Sequence, residues 1–226
     1  MELPKIQTSN LFDQVYGTMK QMIIRRSFRT NEKISIPVLA KNLGISITPI
    51  REALNRLEAE GLVKTVPKVG TFVVGIDKSY VEQVIEFRLM IDFWVLEQYR
   101  TFSGERFDEI AAKLDQLTQF AVEEVDPAVT PIEQYGNFDM IFHTEFINTC
   151  GNIQILETYQ NLMNFRILTV SDPTPKQYNL SMTQHREIVK QLLQQDWQGT
   201  RNAIRQHLNY SRQNLTDWIE SNGGEV

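Results

Sequence analysis

The 226-residue sequence has a single cysteine, three histidines and no long apolar run. Cys150 cannot form an intramolecular disulfide, which excludes a disulfide-stapled domain and fits a reducing compartment. No segment approaches the roughly 18 consecutive apolar residues of a membrane span, and the N-terminus lacks the basic start and apolar stretch of a secretion signal. These absences predict a cytoplasmic protein with no membrane partner.

The acidic excess of the chain is unevenly distributed. The whole chain has a net charge of −5, yet residues 1–75 hold 11 Lys+Arg and 6 Asp+Glu, a net charge of +5. Residues 76–226 hold 12 Lys+Arg and 22 Asp+Glu, a net charge of −10. Such an asymmetry indicates two domains with different partners, and we expect them to cover residues 1–76 and 77–226.

The first 75 residues follow the order of three helices and a hairpin. Apolar residues recur at helical spacing after Ser9, a second helix covers residues 35–42 with Ser35 as its cap, and Gly44 supplies the turn to a third helix. The third helix ends at Gly61 and has one apolar face, formed by Ile50, Ala53, Leu54 and Leu57. Two β-branched runs, LVKTV and TFVVG, then predict a hairpin. This order is typical of a winged helix-turn-helix.

The third helix has the properties of a DNA-reading helix. Such a helix seats one apolar face on its own domain and presents polar side chains near its N-terminus to the major groove. An arginine there, Arg51, suits bidentate contacts to a guanine edge or a phosphate. An isolated arginine is more often part of a solvated face, but the glycine turn, the positive charge and the hairpin favour DNA. The sequence predicts a double-stranded DNA interface made of Ser46, Thr48, Arg51, Asn55, Arg56, Lys64, Lys68 and Gly70.

Beyond Asp77 the sequence changes to long helical periods with almost no strand signal. Turn residues near 103–104, 126–131, 150–152, 171–175 and 196–199 divide this region into six helices. We expect an all-α antiparallel bundle over residues 77–226. The predicted fold class is therefore mainly α, with a winged helix-turn-helix before the bundle.

The three histidines are spaced so that they meet in such a bundle. Asp139 and His143 are four residues apart and are neighbours on one helix. His185 precedes Asp196 by 11 residues and His207 follows it by 11, so an antiparallel pair places both at one level. Three imidazoles and a carboxylate suit a divalent metal such as Zn, Ni, Fe or Mn, with positions open for a carboxylate ligand. The alternative is a polar pocket or surface histidines without a metal.

The string LAKNLGISITPIREALNRLEAEGLV…GTFV resembles the DNA-binding domain of the GntR superfamily of bacterial transcriptional regulators. The resemblance covers residues 11–75 and implies binding to an operator. Two positions depart from the family pattern. Ile47 stands where the family usually has arginine, and Ile36-Pro37 stands where it often has Glu-Arg. Both departures imply fewer direct DNA contacts or an atypical operator sequence.

Residues 77–215 resemble the FCD ligand-binding domain of the FadR branch of these regulators, through EFRLMIDFWVLE, DMIFHTEFINTCGN and HREIVKQLLQQDWQGTRNAIRQHL. The resemblance implies metal ligation by Asp139, His143, His185 and His207. It also implies that Arg88 faces an effector pocket, where it binds the carboxylate of a small organic acid. A salt bridge from Arg88 to Glu86, Asp92 or another carboxylate is the alternative.

Three functions fit these features. The leading interpretation is a ligand-responsive transcriptional regulator, a repressor, that works as a homodimer on an inverted-repeat operator. A metal-dependent enzyme fused to a DNA-binding domain is the alternative, but Glu145, two residues from His143, points away from it on a helix and leaves no evident general base. A winged domain used only for protein contacts is disfavoured by its positive charge.

Overall fold

The computed structural model describes residues 9–24, 27–123, 125–126, 138–163 and 175–225. The chain divides into two compact units, one made chiefly of Met1–Asp77 and the other of Lys78–Gln160 with Val170–Ser221. Helices predominate in both, and over the described ranges none is both long and apolar enough to cross a bilayer. The mainly α fold class predicted from the sequence is confirmed.

The first unit contains three helices and a small sheet. Its elements are α1 (Ser9–Ile24), β1 (Lys33–Ile34), α2 (Ile36–Leu43), α3 (Ile47–Ala59), β2 (Val63–Val66) and β3 (Gly70–Val73). The strands are antiparallel in the order β1-β3-β2, with Val63 opposite Val73 and Val66 opposite Gly70. This arrangement is the winged helix-turn-helix that the sequence predicts.

Glycine sets the angle between the second and third helices. Gly44 has φ 66°, a left-handed conformation that glycine adopts without steric cost, and it ends α2 as predicted. Ser35 lies at the N-cap position of α2, but its side chain makes no capping hydrogen bond. Gly61, with φ 74°, follows α3 and turns the chain into β2.

The predicted apolar face of α3 is the centre of this unit's core. Ile50, Ala53, Leu54 and Leu57 are each at most 3% exposed. Helix α1 packs against α3 and adds its own buried stripe, formed by Val15, Met19 and Ile23. Burial of these two stripes leaves the opposite side of α3 to solvent.

The sheet has one strand more than the predicted hairpin. In β1, Lys33 pairs with Phe72 and Ile34 with Thr71, so β3 becomes the central strand. The sequence did not indicate β1 because two residues are too few to show an alternating pattern. The β2–β3 turn is closed by a hydrogen bond from the Val69 N–H to the Val66 carbonyl at 3.0 Å.

The second unit is helical in all its described long elements. They are α4 (Lys78–Tyr99), α5 (Gly104–Glu123), α6 (Phe138–Asn148), α7 (Ile153–Met163), α8 (Pro175–Leu193) and α9 (Trp197–Ser221). The six predicted helices are therefore present among the described residues, although the predicted breaks at 126–131 and 171–175 fall largely outside them. Helix α9 packs against α4 and α8, and α6 packs against α4, α5 and α8.

Local capping fixes the ends of the helices that matter for the site. Asp196 Oδ1 accepts a hydrogen bond from the Gly199 N–H at 2.9 Å, which caps α9 directly after the α8–α9 turn. Asn152 Oδ1 accepts one from the Ile155 N–H at 3.2 Å and caps α7. The cap at Asp196 fixes where α9 begins after the α8–α9 turn.

Candidate functional site

The outer side of α3 carries the side chains that the sequence assigns to DNA. Ser46, at the N-cap position of α3, and Thr48, Arg51 and Asn55 on the helix are all exposed. Ile47, the first residue of the helix, is 38% exposed. Arg51 forms no ion pair with any described residue. The N-terminal turns of α3 therefore present polar groups and one arginine to the surrounding solvent.

The β2–β3 turn presents two lysines. Lys64 on β2 and Lys68 in the turn are exposed, and neither forms an ion pair within the described ranges. Lys68 has φ 63°, a left-handed conformation that is uncommon for a residue with a side chain. Gly70 follows with φ 148°, and an added Cβ there would meet the side chain of Lys33 at 2.5 Å. The β2–β3 turn thus presents the ammonium group of Lys68 to solvent from a left-handed backbone.

Arg56 is held by its own domain to a degree that the sequence did not indicate. Its guanidinium carbon lies 3.8 Å from the ring centroid of Tyr16. Its nitrogens lie 3.6 Å from Asp13 Oδ1 and 3.5 Å from Glu60 Oε1, while its side chain remains 47% exposed. Arg56 therefore links α3 to α1. The exposed half of its side chain is still accessible to another partner.

Glu60 is the centre of this cluster. Lys20 Nζ donates to Glu60 Oε2 at 2.8 Å, and Tyr16 Oη donates to Glu60 Oε1 at 2.6 Å. Burial opposes ionisation of Glu60, but the hydrogen bonds from Lys20 and Tyr16 and the charge of Lys20 outweigh it and lower the pKa of Glu60. The same contacts outweigh burial at Lys20 and raise its pKa. The pair is therefore ionised in the folded domain at neutral pH.

In the second unit, three helices bring the four predicted metal-ligating side chains together. Asp139 and His143 lie on α6, His185 on α8 and His207 on α9, and none is more than 8% exposed. His207 Nε2 lies 3.1 Å from His143 Nε2 and 3.2 Å from His185 Nε2. Asp139 Oδ1 lies 3.5 Å from His185 Nε2, and one ligand atom from each residue lies within 4.8 Å of all the others. The equal spacing about Asp196 thus brings His185 and His207 together, with ring centroids 4.5 Å apart.

Hydrogen bonds indicate which ring nitrogens carry protons. Arg88 Nη2, which can only donate, lies 2.9 Å from His143 Nε2, so that nitrogen accepts. His207 Nδ1 donates to Gln184 Oε1 at 3.1 Å, so the neutral ring has its lone pair on Nε2. Burial, and then the positive charge of Arg88, hold the pKa of His143 well below its usual range. Two Nε2 lone pairs therefore face each other across 3.1 Å, an arrangement that a shared cation would stabilise.

Arg88 does not form the salt bridge that the sequence left open. Its side chain is 1% exposed on α4, and no described carboxylate lies within ion-pair distance of it. Glu86 is exposed, and Asp92 interacts with Arg88 through charge alone. The guanidinium lies against His143 instead, with its carbon 5.8 Å from the ring centroid of Tyr159. A buried guanidinium without a carboxylate partner leaves a place for an anion.

A narrow cavity adjoins the histidines. Asp92 lies on one side of it and is 2% exposed, and no residue in the described part of the chain donates a hydrogen bond to its Oδ1. Burial raises the pKa of Asp92 to about 6, although the charge of Arg88 opposes the rise. The cavity is lined by Asp92, His143 and His207 together with the apolar side chains of Phe142, Phe146, Ile188 and Ile204.

Two residues that position the cluster were missed from the sequence. Ser181 Oγ donates to Asp139 Oδ1 at 3.0 Å, and Gln184 accepts from His207. Such outer partners orient a ligating side chain and select its tautomer. Ser181 lies one helical turn before His185, so its spacing could have indicated it. Gln184 offered no comparable signal.

Comparisons with known proteins agree with both units. The model of the gntR family of bacterial regulatory proteins matches residues 11–73, and that of the FCD domain matches residues 83–210. The HTH-type transcriptional repressor GlaR of Escherichia coli (strain K12) is 23% identical over 85% of this chain and 90% of its own. A structure described as a GntR transcriptional regulator from Rhodococcus sp. RHA1 has a TM-score of 0.64 at 20% identity, covering 90% of this chain and 96% of that chain. The Zn²⁺-bound FCD domain of TM0439 has a TM-score of 0.50 at 21% identity, covering 65% of this chain and 98% of that chain.

Proposed function

Because the chain belongs to the gntR family of bacterial regulatory proteins and contains an FCD domain, we propose that it is a repressor that responds to a small organic acid. The family makes it a DNA-binding transcriptional regulator and not an enzyme. We assign DNA binding to residues 1–76, and effector binding and dimerisation to residues 77–226, in a cytoplasmic protein. The likeness to the repressor GlaR supports the direction of regulation.

The exposed side of α3 supports a major-groove contact. The buried stripe of α3 leaves Arg51 on the outer side, where a guanidinium can bind a guanine edge or a phosphate in two places at once. Lys68, exposed at the β2–β3 turn, would neutralise a phosphate. The proposed interface consists of Ser46, Thr48, Arg51, Asn55, Arg56, Lys64, Lys68 and Gly70. A homodimer would present two such surfaces to the half-sites of an inverted repeat.

The proposal that the protein senses an effector through a metal is supported chiefly by the facing lone pairs of His143 and His207. Metal–nitrogen bonds of about 2.1 Å place neighbouring ligand atoms about 3.0–3.4 Å apart, and the Nε2 separations of 3.1 and 3.2 Å lie in that range. We infer that Asp139, His143, His185 and His207 hold one divalent metal. Imidazole and carboxylate ligands suit Zn, Ni, Fe or Mn, and the zinc in the FCD domain of TM0439 favours zinc.

The bound metal would supply positive charge and open coordination positions for an effector carboxylate. Arg88 adds a second cationic group at the same place, because its guanidinium is buried beside His143 and has no described carboxylate partner. Its Nη2 donates to the nitrogen that the metal would need, so Arg88 must turn away from His143 when the site is loaded. We infer that it then donates to the effector carboxylate.

Titration of the full-length protein against duplex DNA tests this function. DNA fragments selected by the purified protein would be bound with and without zinc, and with and without a panel of di- and tricarboxylates, while fluorescence anisotropy is followed. We expect tight, salt-dependent binding to an inverted repeat, weakened by at least one acid only when zinc is bound. Arg51→Ala should weaken this binding, whereas Arg100→Ala, which changes an exposed arginine of the second unit, should not.

Three results would count against the proposal. A protein that does not bind duplex DNA would remove the DNA interface. An acid that acts equally on the metal-free protein would remove the metal from the sensor. Turnover of an acid by the zinc-loaded protein would favour the alternative of a metal-dependent enzyme.

A further inference from the structure

Asp92 is a buried carboxylate that the proposed metal and anion sites do not use. It is 2% exposed, and its Oδ1 has no hydrogen-bond partner among the described residues. Buried polar atoms in folded proteins are almost always hydrogen-bonded, because burial without a partner removes the water that would otherwise solvate them. An acceptor of this kind is satisfied when a ligand brings a donor to it.

The position of Asp92 indicates where that donor would come from. Asp92 lies four residues after Arg88 on α4, so both side chains are on the same buried face of the helix. It lines the same cavity as His143 and His207. Arg88 does not line this cavity but contacts His143, which does, so Arg88 and the proposed metal supply positive charge beside a cavity whose wall holds the Asp92 carboxylate.

We propose that Asp92 accepts a hydrogen bond from a hydroxyl or ammonium group of the effector, so that the effector is a hydroxy acid or an amino acid. This inference rests on the proposed function, which places the effector carboxylate on the metal and Arg88. A simple carboxylic acid would bring no donor and would leave Asp92 Oδ1 unsatisfied in a closed site. Among the described lining residues, His143 and His207 would be occupied by the proposed metal, and Phe142, Phe146, Ile188 and Ile204 are apolar, so Asp92 is the acceptor they leave for a hydroxyl or ammonium group.

The test compares acids that differ by one donor. Full-length, zinc-loaded protein would be titrated by calorimetry with propionate, lactate and alanine, and with succinate, malate and aspartate. We expect a hydroxy or amino acid to bind at least about tenfold more tightly than its unsubstituted partner, because a site built around a hydrogen bond rejects the analogue that lacks it. The hydroxyl and ammonium members of each set show which donor is used.

Variants at position 92 connect that preference to the carboxylate. Asp92→Leu should bind substituted and unsubstituted acids with the same affinity. Asp92→Asn keeps an acceptor oxygen but loses the charge. It should therefore keep part of a preference for hydroxy acids and lose most of a preference for amino acids. This variant tests the proposal if Asp92→Leu does not fold. Glu86→Gln, on the exposed side of the same helix, should leave the preference unchanged.

The outcomes separate this inference from the proposed function. If simple acids bind only with zinc and no substituted acid binds more tightly, the sensor stands and the role of Asp92 is wrong. If a preference exists but persists in both Asp92 variants, that role is also wrong. If elemental analysis finds no zinc, or no acid of either kind binds, the metal-anchored sensor fails and this inference fails with it.

Discussion

Replacing Lys68 by glycine should stabilise the winged domain and weaken its binding to DNA. Lys68 has φ 63° in the β2–β3 turn, and a left-handed conformation costs a residue with a side chain about 1–2 kcal/mol. Glycine adopts it freely but loses about 0.5–1 kcal/mol more chain entropy on folding. We therefore expect Lys68→Gly to raise the free energy of unfolding by about 0.5–1 kcal/mol.

The effect on DNA follows from the exposed ammonium group. One phosphate contact contributes a salt exponent of about 0.9, so losing it should weaken binding about fivefold at 0.15 M salt. The slope of log K against log salt should become shallower by about 0.9. A strained lysine would thus be kept because its side chain binds DNA, at some cost to the stability of the domain.

Two further variants separate strain from charge. Lys68→Ala removes the ammonium group but keeps the left-handed backbone, so it should weaken DNA binding equally without stabilising the domain. Gln195 has φ 54° in the α8–α9 turn, where no DNA contact is proposed. Gln195→Gly should therefore stabilise the second unit by a similar amount and leave DNA binding unchanged.

The stability of each unit must be measured separately. Trp94, Trp197 and Trp218 all follow Asp77, so tryptophan fluorescence during urea unfolding reports on the second unit. Amide hydrogen exchange of β2 and β3 reports on the winged domain. DNA affinity would be measured by anisotropy from 50 to 300 mM salt. If Lys68→Ala binds DNA as tightly as the wild type, or Lys68→Gly gives no added protection, the explanation of the strained turn is wrong.

Four other results are expected. Arg51→Ala should cost about 1–3 kcal/mol of binding on the selected site if Arg51 contacts a base, whereas an equal loss on random DNA would indicate a phosphate contact. Ile47→Arg should steepen the salt dependence of non-specific binding by up to about one phosphate contact, and an unchanged slope would place position 47 away from DNA. His185→Ala should abolish stoichiometric metal in elemental analysis after zinc loading, and retention of full metal would remove His185 from the ligand set. Because the pKa of Glu60 is lower in the folded state, ionised Glu60 should stabilise the winged domain at pH values above its unfolded pKa of about 4.3. This contribution to the free energy of unfolding should disappear as the pH falls through the lower folded pKa. Hydrogen exchange of α3 should show a stability difference between Glu60→Gln and wild type at pH 6 that shrinks as the pH falls through the folded pKa of Glu60, and a difference independent of pH would contradict this.

The helix-turn-helix could be predicted from the sequence because its determinants are local. The period of Ile50, Ala53, Leu54 and Leu57 requires one buried face on a helix, and glycine at 44 and 61 permits the left-handed turns that end the helices. The meeting of His185 and His207 was also predictable, because a hairpin of two helices turns equal spacing about Asp196 into proximity. These features depend on residues a few helical turns apart.

The rest was decided by contacts between distant parts of the chain. Strand β1 exists only because β3 lies beside it, and Arg56 is held by Tyr16 and Glu60 through the packing of α1 on α3. The side chain of Arg88 reaches His143, 55 residues away, and not the neighbouring Glu86. Within the described ranges Asp92 Oδ1 has no donor, although Arg88 lies only four residues before it in the sequence. Residue types and periodicity indicated which side chains enter the bundle. The contacts between those side chains depend on how the helices cross, which only the packed tertiary structure determines.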